Sequence, residues 1–444
     1  MKFVIFWTDY FVFLLLIMAI VLIIRIWNNA QLRKIWRNVI NRPLNIVAMV
    51  ILTGYVTIGI LDSLHVETKD NGIISVLDEI LFPLWTHTER TYSAPFALYA
   101  FTKETILQAD GKIVREYPRL QFAGKQLTPE QKWPFIQHLL LQVCLQALVI
   151  WGALSAVLFW LFGRNKVKSH FPWRSFLAAI GVMVFLIIFV FTFMPHFHIF
   201  GTNEVGEDVL YQTLKSIRTG LIIGTVTTLV MLPFAVLFGI MAGYFRGWID
   251  DVIQYTYTTL SSIPAVLLIA AAVLTLQLVM DRHTDLFQTV ESRADARLLA
   301  LCAILGITSW TSLCRLLRGE TLKLSQIDFI QAAHSLGASH ASILFKHLLP
   351  NVFHIVLITI VLDFSGLVLA EAVLSYVGVG VDPSSYSWGT MINSARLEMA
   401  RDPIVWWSLT AAFIFMFVLV LAANIFSDAI RDAFDPRSAL RGDQ

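Results

Sequence analysis

Few side chains in this sequence could do chemistry, and most of them sit in apolar surroundings. Asp363 and Glu371 fall within one long apolar run. A carboxylate in a bilayer is costly and usually faces a bundle interior or water. The two could therefore line a polar path or gate, or fix the packing of two helices by a hydrogen bond. Pro264, in Ser262-Ile-Pro264, lies in another apolar run. A proline there would kink a membrane helix, lining the same path or serving packing alone. Cys144, Cys302 and Cys314 also lie in apolar runs and suggest neither a disulfide framework nor a metal site. His334, His340 and His347 share one polar segment, at spacings that place them on different helix faces. That favours a solvated or docking role over metal binding. No Walker A pattern occurs, and no His/Glu pair stands at metal spacing. The expected chemistry is passage and docking, with no catalytic residue and no metal.

The elements that must hold these residues follow from composition. The 444 residues are 57% hydrophobic and 14% charged, with a mean hydropathy of +0.69. A soluble chain would carry about a quarter charged residues. Nine apolar runs have the length of a bilayer crossing: Phe3–Ile24, Leu44–Leu61, Leu139–Phe162, Phe176–Pro195, Thr219–Gly243, Tyr257–Met280, Leu298–Leu316, Val352–Ser375 and Ile404–Phe426. Only α-helices satisfy the backbone within single runs of this length, so the fold class is an all-α polytopic membrane protein, a helical bundle. Arg25, Arg33, Lys34, Arg37 and Arg42 lie between the first two runs, and Arg164, Lys166, Lys168 and Arg174 between the third and fourth. Neither loop contains an acid, so both are expected in the cytoplasm. The N-terminus is then outside and the C-terminus inside. The first run lacks a small-x-small cleavage site and reads as a retained anchor.

Gln331–Asn351, QAAHSLGASHASILFKHLLPN, is polar and amphipathic between two spans, on the side assigned to the cytoplasm. Ala332, Ala333, Gly337 and Ala338 are small and would let a helix approach another protein closely. Leu348, Leu349 and Pro350 read as a stop, because proline lacks an N–H and disfavours helix in the residue before it. This stretch resembles the "EAA" coupling loop of ABC importer permeases, in which a short helix docks into a groove on a separate ATPase subunit. Gln331 replaces the family's Glu, and His347 replaces its usual Ile. The resemblance assigns Gln331, Ala332, Ala333, Gly337, Ala338, Leu349 and Pro350 to the coupling loop.

Other segments carry the same likeness. His198–Leu210 is similar to a Phe-Gly-Thr-Asp-x-x-Gly-Arg-Asp-x-Leu segment, with Asn203 for Asp and Glu207 for Arg. Asp208 is placed to cap the helix after it. Gly243-Tyr-Phe-Arg-Gly247-Trp-Ile-Asp250, Gly378-Val-Gly380-Val-Asp-Pro383 with Ser387-Trp388-Gly389, and Asp435-Pro436-Arg437 match further family segments. Trp406 and Trp407 read as interfacial aromatics. From about Phe176 to Arg437 the chain thus resembles the C-type permease subunit of dipeptide and oligopeptide (peptide/nickel) ABC importers.

That resemblance implies an ATP-driven importer permease in a bacterial inner membrane. Its expected partners are a B-type permease, two ABC ATPase subunits, a periplasmic substrate-binding protein and membrane lipid, with no nucleic acid. It implies no cofactor on this chain, ATP and magnesium being used by the ATPase subunits. The expected organisation is two N-terminal spans in 1–64, a periplasmic loop or small domain in 65–134, and a third span with a basic cytoplasmic loop in 135–175. An ABC importer transmembrane domain follows in 176–437, with the coupling loop at 319–350. Every family-like motif lies after Phe176, so residues 1–168 are expected to be an accessory. Within 65–134, Ile73–Leu84 is expected to form a short helix in a folded cap. Two other classes compete. An ion-driven secondary transporter would need ionisable residues in several spans, and often inverted repeats, neither of which is visible here. A non-transporting scaffold or receptor would use the N-terminal extension as its working part.

Overall fold

A computed structural model of the protein describes residues 2–68, 72–107, 113–124, 127–163, 171–283 and 289–434. The basic run at Arg164, Lys166 and Lys168, and the Asp435-Pro436-Arg437 end, lie outside the described residues. Among the described residues, nine segments are helical, long and apolar enough to cross a membrane. They comprise α1 (Trp7–Asn28), α3 (Pro43–Ser63), α6 (Lys132–Gly163), α7 (Trp173–Phe193), α8 (Val209–Phe245), α10 (Ala265–Arg282), α11 with α12 (Val290–Ser309 and Thr311–Leu324), a run ending in α15 (Leu349–Tyr376), and α17 (Trp407–Phe434). Between α1 and α3 lies a short amphipathic helix, α2 (Ala30–Ile40). With its 37 residues, α8 is about 55 Å long, against a hydrocarbon core of about 30 Å. Its ends therefore stand beyond the apolar layer.

Both prolines of interest act differently from the sequence reading. Pro264 does not kink one helix. It separates α9 (Gly247–Ser262) from α10, with Ile263 extended at φ −87° and ψ 131° and Pro264 itself capping α10. The residue before a proline is pushed out of the helical region, so the break falls there. Pro350 is not a stop. Helix α14 (His340–Ser342) passes through a π-helical turn, Ile343–Leu348, directly into α15, where Pro350 occupies the first turn. Proline lacks the N–H of a regular helical bond, and the ladder of hydrogen bonds is altered by the π-helical turn just before it.

The chain forms two compact units. The first comprises Met1–Ile5, Arg37–Thr219 and Tyr386–Ala422. Its core gathers Leu77, Leu84, Val143, Phe193, Phe197 and Leu210. The 65–134 segment is folded within it and adds strands to the helices. Strands β1 (Lys2–Val4), β2 (His65–Thr68) and β3 (Gly72–Ser75) form an antiparallel sheet with Phe3 opposite Val66 and Val66 opposite Ile74. The helix expected from Ile73 starts only at α4 (Val76–Ile80), after β3, and α5 (Phe82–Thr86) follows. Ser75 and Asp78 cap α4 reciprocally, through Asp78 N to Ser75 Oγ at 3.2 Å and Ser75 N to Asp78 Oδ2 at 2.8 Å. Strands β4 (Glu104–Leu107) and β5 (Ile113–Glu116) form a hairpin.

The second unit comprises Phe6–Trp36, Gly220–Ser385 and Ala423–Gln444. One core cluster joins Met231, Leu313, Leu317, Ile330, Ile343 and Val352. A second joins Ile222, Val226, Leu301, Leu305, Leu374 and Val381. The N-terminal end of α1 belongs to this unit, where the Thr8 backbone N–H and hydroxyl both donate to Asp295 on α11. The compact units therefore do not divide near residue 168.

Candidate coupling loop and polar groups

The segment expected to be the coupling loop begins in a short helix held against the core. Helix α13 (Asp328–Ser335) inserts Ile330, 2% exposed, into the unit's core. Gly337 ends it. With φ at +77°, Gly337 adopts the left-handed region that other residues enter only with strain. The Gly337 N–H bonds to the His334 carbonyl at 3.0 Å, and the Ala338 N–H bonds to the Ala333 carbonyl at 3.1 Å. This is the Schellman pattern, and Ala333 and Ala338 supply its accompanying apolar contact by packing on the core. The small residues thus divide into two roles. Ala333 and Ala338 face inward, while Gln331, Ala332 and Gly337 are exposed. Leu349 packs on the core and Pro350 is exposed. Beside Gly337, Leu336 is 88% exposed, the highest value among the exposed large hydrophobics of the described residues. A turn follows, so His334 and His340 are not on separate faces of one helix: their rings stand 5.9 Å apart.

The Gly-Tyr-x-x-Gly-x-x-Asp turn holds this loop. A Cβ on Gly243 would lie 2.7 Å from the Arg318 carbonyl, so glycine permits the approach of α8 to α12. The Tyr244 hydroxyl pairs with His340 Nδ1 at 2.9 Å. Asp250 receives two hydrogen bonds from Arg318, at 2.5 and 2.7 Å. Bidentate Arg–carboxylate pairs fix geometry as well as adding energy. Arg246 donates to Ser325 at 3.0 Å. The ends of α8, α9 and α12 are thereby fixed under α13.

The two membrane carboxylates differ. Glu371 is 2% exposed and accepts the Ser375 hydroxyl at 2.6 Å, one turn along α15. Asp363, two turns earlier, is half-buried near the middle of α15. Pro264 is exposed at the α9–α10 break. The second Schellman closure, at Gly378, ends α15 with Leu374 and Val379 buried in one cluster.

The outer motif shows what its two departures do. Asn203 Nδ2 donates to Glu207 at 3.3 Å, and Gln212 donates to the same oxygen at 2.6 Å. The residues that replace the family's Asp and Arg are partners of each other. Asp208 caps α8 as expected, accepting from the N–H groups of Leu210 and Tyr211 at 2.8 and 3.2 Å. Its other oxygen pairs with His198 Nδ1 at 2.8 Å, and His198 Nε2 lies 3.6 Å from Glu89. Burial by itself pushes the His198 imidazole down, but Asp208 and Glu89 outweigh it and push it up to about 9. Burial also opposes charge on Glu89, yet His198 and the N–H groups of Gln121, Phe122 and Ala123 hold its carboxyl below the usual range. Trp406 is exposed as an interfacial aromatic should be. Trp407 is instead buried, donating to the Thr202 carbonyl at 2.9 Å.

Sequence reasoning missed one cluster. Lys215 on α8 contacts Asp62 at 2.6 Å and Asp78 at 2.9 Å, and the Tyr211 hydroxyl donates to Asp78 at 2.8 Å. Asp62 ends α3, and Asp78 lies in α4. Burial opposes the Asp78 charge, but Lys215 and the Ser75 N–H hold its carboxyl below the usual range. The signal was an acid at the end of one apolar run and a lysine just before another. Starting the fifth span at Thr219 left Lys215 outside it.

Nine membrane-length helical segments among the described residues, carboxylates within one of them and an exposed loop helix define a polytopic helical membrane protein. Comparison with known proteins places it more closely. Residues 235–439 match the family described as "Binding-protein-dependent transport system inner membrane component". The chain is 32% identical over 247 residues to the "Oligopeptide transport system permease protein OppC" of Mycobacterium tuberculosis, covering 55% of this chain and 78% of that protein. It is 31% identical over 242 residues to the "Glutathione transport system permease protein GsiD" of Pectobacterium atrosepticum, covering 54% of this chain and 73% of that protein. A solved structure of the "MetNI methionine ABC transporter" aligns at 15% identity and a TM-score of 0.36, covering 50% of this chain and 96% of that chain. The chain belongs to the family of binding-protein-dependent transport system inner membrane components.

Proposed function

We propose that the chain is the C-type permease subunit of an ATP-driven importer for di- or oligopeptides. It pairs with a B-type permease to enclose the path. Two ABC ATPase subunits work from below, one of them on α13 and the Gly337 turn. A periplasmic binding protein delivers substrate. This chain binds no cofactor, and its ATPase partners use ATP and magnesium. It lies in the inner membrane of a bacterium with its N-terminus in the periplasm and its C-terminus in the cytoplasm. Residues 176–437 act as the transport domain.

The observation that carries this reading is the form of α13. Its inner face is anchored through Ile330, Ala333 and Ala338, and its outer face presents Gln331, Ala332 and Leu336 on a fixed turn. A partner that moves this helix moves the core behind it, because packed interiors transmit strain. Asp363, Glu371 and Pro264 are assigned to the path or gate. The half-buried Asp363 carboxylate supports this, since such a group avoids lipid. The peptide substrate rests on the likeness to the oligopeptide permease. The test is reconstitution with the partner permease, ATPase subunits and binding protein in liposomes. ATP-dependent peptide uptake, stimulated by loaded binding protein, is expected. Uptake that follows an ion gradient and ignores ATP would overturn the reading.

A further inference from the structure

Helix α2 belongs to the N-terminal extension, and none of the roles above uses it. It contains 11 residues, about 16 Å of helix, between the ends of two membrane helices. Asn29 alone separates it from α1, and Asn41 and Arg42 alone separate it from α3. It therefore lies at one surface of the bilayer. Its residues divide by face. Leu32, Ile35, Trp36 and Ile40 are half-buried and Val39 is buried, whereas Arg33, Lys34, Arg37 and Asn38 are exposed. The Asn45 side chain donates to the Val39 carbonyl at 2.9 Å. Arg33 donates to the Trp27 carbonyl, and Trp27 is a 72% exposed aromatic at the end of α1. Exposed tryptophan at a span end marks the headgroup level.

Charge completes the pattern. Between Asp9 and Asp62 the sequence has five basic residues, Arg25, Arg33, Lys34, Arg37 and Arg42, and no acid. A basic, amphipathic helix in the interface plane is attracted to anionic lipid, and each cation near the surface contributes about fivefold to binding.

We propose that the exposed face of α2 is a binding site for anionic phospholipid headgroups, with Arg33, Lys34 and Arg37 as its phosphate-contacting cations. Charge complementarity selects the occupant: a row of exposed cations at headgroup depth meets phosphates first.

The probe is phosphatidylglycerol, with phosphatidylcholine as control, added to the purified full-length chain in detergent and read by native mass spectrometry. Wild type is compared with the triple variant Arg33→Gln, Lys34→Gln, Arg37→Gln. Retention of phosphatidylglycerol should fall by about 100-fold in the triple variant, three cations at about fivefold each, with phosphatidylcholine unchanged. The charge-keeping variant Arg33→Lys, Lys34→Arg, Arg37→Lys should retain it. Should the glutamine variant not insert, salt supplies the readout: phosphatidylglycerol retention by wild type should fall as ionic strength rises from 0.05 to roughly 0.5 M, since exposed charges are screened over a shorter distance. Equal retention by wild type and the glutamine variant, or retention indifferent to salt, would overturn the proposal. So would loss of ATPase-subunit recovery with lipid retention intact, which would make the face a protein-docking surface.

Discussion

His198 is enclosed by two buried carboxylates, and that geometry fixes its charge. Its folded value is pushed up to about 9, above the ordinary 6.5. A raised value means the protonated form stabilises the fold. That stability is fully present below about pH 6.5 and is lost as pH rises through about 9. Thermal unfolding of the purified protein between pH 7 and pH 10 should show a fall in midpoint. The variant His198→Gln should be less stable at pH 7 and lack that part of the fall; parallel curves for the two proteins would contradict the assignment. Sequence showed half of this site. The Asp208 cap was legible because capping is local, whereas Glu89 is 109 residues from His198 and no spacing rule joins them. Gly337 was legible as important but for a different reason. It reads as a point of close approach, yet a Cβ there would meet nothing within 4 Å. Its conformation, at φ +77°, is what requires glycine.

Single elements were legible where periodicity and hydropathy are strong. The nine spans correspond one to one with nine membrane-length segments among the described residues. Helix ends were not, because Pro264 breaks where a kink was expected and Pro350 continues where a stop was expected. In each case the position of the proline within a turn, which composition does not encode, decides the outcome. The Lys215 cluster ties three elements, α3, α4 and α8. Removing one partner of a buried ion pair costs about 3–5 kcal/mol, because the other charge stays buried. Lys215→Met should therefore lower the unfolding temperature strongly. Adding Asp62→Asn and Asp78→Asn to it should recover most of the loss. A Lys215→Met variant as stable as wild type would show that the three charges do not depend on each other.

Across the whole molecule, single charged contacts join the N-terminal extension to the part of the chain that carries the family motifs. Asp62 and Asp78 neutralise Lys215, Glu89 holds His198, and Thr8 meets Asp295 on α11. Each contact joins residues before 168 to residues after it. Removing 1–168 would strand Lys215 and take from His198 and Asp295 a partner each. Motif absence could not reveal this, since the contacts use single charged residues far apart in sequence. Docking of the ATPase on α13 and the Gly337 turn is best probed at Leu336. Gly337→Glu would confound docking with backbone strain, but the Leu336 side chain is 88% exposed, so Leu336→Glu leaves the core untouched. The measurement is recovery of the ATPase subunits with affinity-purified Leu336→Glu, co-expressed with all partners, alongside ATP-driven uptake. Normal insertion and thermal stability are expected, with ATPase recovery and uptake reduced at least tenfold, about 1.4 kcal/mol of lost contact. Wild-type ATPase recovery and uptake in a correctly inserted Leu336→Glu protein would contradict it.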